Sequence, residues 1–139
     1  MWIQPRTRRQ PDLVRRSRPV LIVDDDEDIR TVLRETLHEW GYAAICAADG
    51  YEAMSFVQEV TPSTIILDLW MPKMNGFLFR KWLVTQPRLV DVPVIVLTAA
   101  GAQGADQLDD VTALYKPVDF DLLNAFLGVH VRTPAAERR

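Results

Sequence analysis

A single cysteine and the lack of any apolar run of membrane length set the first limits on this 139-residue sequence. Cys46 lies in the apolar run from Ala43 to Ala48, where a buried strand thiol is the expected role rather than a nucleophile or a metal ligand, and such a thiol suits a reducing cytoplasm. The longest apolar stretch, Val92 to Ala100, is broken by Pro93 and Thr98 and falls well short of the roughly 20 residues that a membrane span needs. The Arg-rich start is not followed by a signal-like apolar segment, because Pro19 to Val23 runs straight into five acidic residues; a cytoplasmic location is expected. Bases are scarce in the body. Residues 19–128 carry 17 acids against 7 bases, whereas residues 1–18 have a net charge of +5 and residues 129–139 one of +2, which leaves −3 for the chain. The body therefore repels nucleic acid, which is not expected as a partner, and only the tail could attract it.

With 48% hydrophobic and 25% charged residues, the chain has the makings of one soluble domain with a substantial core. Residues 1–18, with Pro5 and Pro11 and few apolar residues, read as a basic, disordered tail. Residues 19–128 read as the domain, and residues 129–139 as a short polar tail with no output module after it. No repeat of solenoid length is present.

Three short runs, Val20–Val23, Thr64–Leu67 and Val94–Leu97, are apolar or β-branched throughout rather than alternating, the pattern of strands covered on both faces. Weaker runs at Ala43–Ala47 and Ala113–Tyr115 bring the count to five. Helical spacing lies between them. Ile29, Val32, Leu33, Leu37 and Trp40 share one face, and Gly41 follows as a stop. Gly50–Val60 ends before Pro62, Gly76–Gln86 ends before Pro87, and Asp119 is placed to cap a last helix carrying Phe120, Leu123 and Phe126 or Leu127. The crossover from Thr98 to Ala113 holds Gly101 and Gly104, which leaves room for only a short fourth helix near Gln103 to Asp109. Strict alternation of strand and helix predicts an α/β fold with a parallel sheet and helices on both faces.

In such a sheet, ligands sit beyond the carboxyl ends of the strands. There the sequence places Asp24 and Asp25 with Asp26, Glu27 and Asp28, then Asp68, Thr98 and Lys116. Carboxylates within about 4 Å repel by roughly 4 kcal/mol per pair at an effective dielectric of 20, so Asp24, Asp25 and Asp68 call for a cation or a raised pKa. Mg²⁺, which takes oxygen ligands and keeps waters, leaves room for a phosphoryl oxygen. Lys116 and the Thr98 hydroxyl would hold others, with Asp68 as nucleophile. Each residue also has a plainer reading. The Asp24–Asp28 cluster is equally what a helix N-terminus favours, Thr98 suits a strand by propensity alone, and Lys116 before Pro117 suits a surface turn. Asp68, at the end of a buried strand, is harder to explain without a use or a partner.

The segments Val20-Leu21-Ile22-Val23-Asp24-Asp25-Asp26, Ile65 to Gly76 with Asp68 and Met71-Pro72, Val94 to Ala99 with Thr98, and Tyr115-Lys116-Pro117 together resemble the response-regulator receiver domains of two-component signalling, single-domain type. The resemblance covers residues 19 to about 128. It implies a flavodoxin-like sheet of order 2-1-3-4-5. It also implies that Asp68 is the phosphoacceptor, that Asp24, Asp25, Asp68 and the Trp70 backbone carbonyl hold Mg²⁺, that Thr98 and Lys116 contact the phosphoryl group, and that a cis bond precedes Pro117. The implied partners are a histidine kinase or phosphotransfer domain and an unidentified downstream protein, with no enzymatic activity beyond the chain's own phosphorylation and dephosphorylation.

Two positions depart from the pattern. Ala113 stands where the family carries an aromatic three residues before the lysine, and Tyr115 should point away from the Lys116 side chain. The Thr98–Lys116 interval is about one helical turn short. Trp70 and Ala100, two residues beyond Asp68 and Thr98, should slow self-hydrolysis of an acyl phosphate, since a bulky ring stands there with no polar group opposite to orient water. Three rival readings remain. A phosphorylation-independent adaptor would form no Asp68 adduct. A phosphohydrolase would carry a second acid at the place of Trp70. A basic-tail nucleic-acid binder would lose salt-dependent binding with residues 1–18.

Overall fold

The computed structural model describes residues 18–99, 104, 108 and 110–132, with side chains as far as residue 129. Five strands, β1 (Val20–Val23), β2 (Ala44–Ala47), β3 (Thr64–Leu67), β4 (Val94–Ala99) and β5 (Val111–Lys116), alternate with helices α1 (Glu27–Glu39), α2 (Gly50–Glu59), α3 (Gly76–Leu83) and, after β5, α4 (Phe120–Arg132). All strand pairs are parallel and the order is β2-β1-β3-β4-β5, as the resemblance implies. The short helix expected between β4 and β5 and the greater parts of both tails lie outside the described residues.

The continuous apolar runs are explained by the two cores. Along β1, β3 and β4, successive side chains turn to opposite faces. Leu21, Val23, Ile65, Leu67, Val94 and Val96 join one core, with Ala53 and Val57 of α2 and Phe79 and Leu83 of α3. Val20, Ile22, Ile66, Ile95 and Leu97 join the other, with Leu33 and Leu37 of α1 and Leu123 and Leu127 of α4. Cys46, in edge strand β2, is half-buried rather than buried, and burial raises its thiol pKa.

Caps set the helix starts. Asp119, as expected, accepts from the Leu122 amide at 3.0 Å to open α4. The helical reading to Gln86 overruns, because α3 ends at Leu83. The Thr85 and Gln86 amides donate to carbonyls three residues back, on Trp82 and Leu83, so the last turn tightens before Pro87. β4 and β5 extend beyond their sequence-expected ends, so Thr98 and Lys116 are strand residues rather than the first residues after strands.

Candidate functional site

Register brings the acids together. Val23 pairs with Leu67, so Asp24 and Asp68 are the next residues of adjacent strands, and the Asp68 amide donates to the Val23 carbonyl at 2.9 Å. Asp24, Asp25 and Asp68 each offer a carboxylate oxygen, and the three lie within 4.8 Å of one another. Asp24 and Asp68 are 2% and 5% exposed, whereas Asp25 faces solvent. Lys116 reaches in from β5, with Nζ 2.9 Å from Asp24 Oδ2 and 3.6 Å from Asp68 Oδ2. The Lys116–Pro117 bond is cis, and Tyr115 is about half exposed.

The five-acid run divides its labour. Asp26 caps α1, accepting from the Asp28 and Ile29 amides, and Glu27 and Asp28 stand in the first turn where the helix dipole favours them. Asp24 is held differently: its Oδ1 accepts the Asp26 amide at 2.9 Å, and its carbonyl accepts from Arg30 Nη1 at 2.9 Å. The plain helix-start reading therefore holds for three of the acids, and Asp24 and Asp25 are left for the pocket. Arg30 escaped the sequence reading, although a base one turn into a helix that starts on acids is the signal that could have found it.

Two glycines allow close approaches to the loop that follows Asp68. At Gly76 a Cβ would come within 2.4 Å of the Asp68 carbonyl oxygen and 2.6 Å of Leu69 Cα, so α3 can start this close to Asp68 only without a side chain. The Gly76 amide also donates to the Leu69 carbonyl at 3.0 Å. At Gly50 a Cβ would meet Met74 within 2.6 Å, and the Gly50 amide donates to the Met74 carbonyl. Lys73 pairs with Asp49 at 3.7 Å, tying the same loop to the start of α2.

Burial is the main reason the Asp68 pKa rises from 3.8 to about 6, with the Asp24 carboxylate adding to it and Lys116 opposing. Burial works against the charged Lys116, yet Asp24 and Asp68 together overcome it and hold its pKa above the ordinary lysine value. Thr98 is 1% exposed at the end of β4, and its hydroxyl has no hydrogen-bond partner among the described residues. Trp70 donates its amide to Asp68 Oδ1 at 3.2 Å, and its ring is 52% exposed. Ala100 lies outside the described residues. Three carboxylates and an ammonium thus meet at one end of the sheet, a donor set suited to a hard divalent cation beside an anionic group, and the Thr98 hydroxyl, without a partner among the described residues, lies at the same end.

The family model of the response regulator receiver domain matches residues 20–127. The chain belongs to the response regulator receiver family. Protein Rrf1 of Nitratidesulfovibrio vulgaris is 34% identical over 116 residues, which cover 84% of each chain. The chemotaxis protein CheY4 of Vibrio cholerae superposes with a TM-score of 0.72 at 32% identity, over 79% of this receiver and 95% of CheY4. The receiver domain of sensor histidine kinase PA1611 from Pseudomonas aeruginosa, with a magnesium ion coordinated in its active site cleft, gives a TM-score of 0.76 at 26% identity, over 84% and 99% of the two chains. Against the first curated relatives, proteins named ycf27, the receiver spans about two fifths of the length, 42% for that of Porphyridium aerugineum. It is a receiver of two-component signalling, a signalling module with an acidic cluster suited to a divalent ion. Among the described residues, no helix is long and apolar enough to cross a membrane.

Proposed function

We propose that Asp68 is the phosphoacceptor and that the chain is a cytoplasmic phosphorelay receiver, with residues 19–128 as the functional unit. The observation that carries this reading is the shared pocket of Asp24, Asp25 and Asp68 with Lys116 at hydrogen-bonding distance. Asp24, Asp25, Asp68 and the Trp70 carbonyl would hold Mg²⁺, which when bound supplies neutralising charge to the transferring phosphoryl oxygens. An Asp68 oxygen attacks phosphorus while the bond to a donor histidine nitrogen of a kinase or phosphotransfer domain breaks, and the imidazole takes up a proton from solvent. Lys116 and the Thr98 hydroxyl each stabilise a phosphoryl oxygen, which gives the buried Thr98 hydroxyl the partner it lacks among the described residues.

The chain's chemistry is confined to its own phosphorylation and dephosphorylation, and its output is contact with a downstream protein whose bound state is favoured by the phosphoryl group. Labelling with acetyl phosphate tests the reading: Mg²⁺-dependent incorporation is expected in wild type and none in Asp68→Ala. Equal labelling of the two proteins would overturn it, and absence of any adduct would favour the phosphorylation-independent adaptor.

A further inference from the structure

Trp70 is tied to the pocket by its backbone, one hydrogen bond from the Asp68 carboxylate, but its indole is held by something else. The ring meets Phe77 edge-on, with centroids 5.2 Å apart and planes at 70°. Such pairs add stability beyond the area they bury. Phe77, in the first turn of α3, has its own seat. The tip of its ring fills the space where Gly104, in the β4–β5 crossover, lacks a side chain, and a Cβ there would lie 2.3 Å from Phe77 Cζ. Gly104 is buried and has a φ of +107°, so backbone and space both require glycine. The phenyl cannot yield to a larger residue at 104 without leaving this seat or pressing on the indole.

Residues of three chain segments thus meet in one packed row: Trp70 of the loop after Asp68, Phe77 at the start of α3, and Gly104 between β4 and β5. We propose that Phe77, seated on Gly104, is a positioning residue that holds the Trp70 indole as a wall beside the pocket and so lengthens the life of the phosphoryl group on Asp68. This rests on the phosphoacceptor reading of Asp68. Hydrolysis requires a water oxygen to bond to phosphorus as the phosphorus–oxygen bond to Asp68 breaks. The carboxylate leaves with the bonding pair, phosphate departs and the water's proton passes to solvent. A fixed aromatic wall narrows the directions from which that water can come, and an indole freed from Phe77 no longer keeps that side closed.

The test labels the full chain on Asp68 with acetyl phosphate and Mg²⁺, removes the donor and follows loss of the label. Phe77→Ala is expected to take up label to the wild-type extent and to lose it at least about threefold faster, a small part of a barrier in which tenfold corresponds to 1.36 kcal/mol. Phe77→Leu, which keeps apolar bulk against both neighbours, should decay close to the wild-type rate. Trp70→Ala should match Phe77→Ala, and the double variant should be no faster than the faster single, because the two rings act as one unit. Decay in Phe77→Ala at or below the wild-type rate overturns the proposal, as does multiplication of the two effects in the double variant. Trp70→Ala removes a half-exposed ring, so its unchanged decay would overturn the proposal even if Phe77→Ala failed to fold. A wild type that takes no label on Asp68 overturns instead the phosphoacceptor reading on which the proposal stands.

Discussion

Asp68 carries a cost in the metal-free protein that depends on pH. Its pKa is raised in the fold, from 3.8 to about 6, so between those values the native state binds more protons than the unfolded chain. Stability then falls as pH rises through this window and stays lowered above it, by an amount on the order of 3 kcal/mol. Lys116 is charged in both states over this range and adds no slope. Asp68→Asn in the presence of a chelator is therefore expected to be more stable than wild type at pH 7, with the difference shrinking towards pH 5. Urea melts at the two pH values measure this, and a variant less stable than wild type at pH 7 would contradict it. Gly76 carries a different kind of cost. Its replacement by Ala pushes a Cβ against the Asp68 backbone, where neither partner can move freely, and roughly 2 kcal/mol of stability should be lost. Labelling of Asp68 should fall with it, because α3 and the loop that starts at Asp68 share that contact. A Gly76→Ala protein with unchanged melting and labelling would show that the loop has room to give.

At the scale of elements, the turn from β1 into α1 joins a cap to a proposed metal ligand. Asp26 accepts two helix amides while its own amide holds Asp24 Oδ1, so one residue starts the helix and orients the buried acid. Asp26→Ala should cost about 1 kcal/mol in the unfolding free energy. It should also weaken Mg²⁺ binding only modestly, since the amide that positions Asp24 survives the substitution. A calorimetric Mg²⁺ titration separates the two effects, and complete loss of binding would place Asp26 among the ligands. Much of this turn was legible in the sequence, where acids before an apolar helical stripe mark both a cap and a candidate site. How the five acids divide between the two roles was not, because that depends on which carboxylate turns inward once α1 packs on the sheet. The end of α3 escaped for a similar reason. Apolar residues continue to Val84 and the stop signal, Pro87, comes only after Gln86, so only the hydrogen bonds show the tightening after Leu83.

For the whole molecule, the body's net charge of −10 and the acidic cluster act in the same direction, so a bound divalent cation relieves local and overall repulsion together. The melting temperature is expected to rise with Mg²⁺, and a concentration about a hundredfold above Kd would contribute about 2.7 kcal/mol. Asp24→Ala should abolish most of that rise. A rise of equal size in Asp24→Ala would point to diffuse screening rather than a site.

Local pattern by itself determined the strands, most of the helices and the identity of the polar residues near the strand ends. It could do so because two-faced burial, capping and helix termination act over a few residues and leave their mark in composition and spacing. Only the tertiary structure decided which of those polar residues meet. The parallel register sets Asp24 beside Asp68, Lys116 crosses from the far edge strand to both, and the Thr98 hydroxyl is buried without a partner among the described residues. The row of Trp70, Phe77 and Gly104 belongs to the same class. Its members come from three elements, and nothing in the spacing of a single segment encodes the gap in the crossover that a phenyl ring fills.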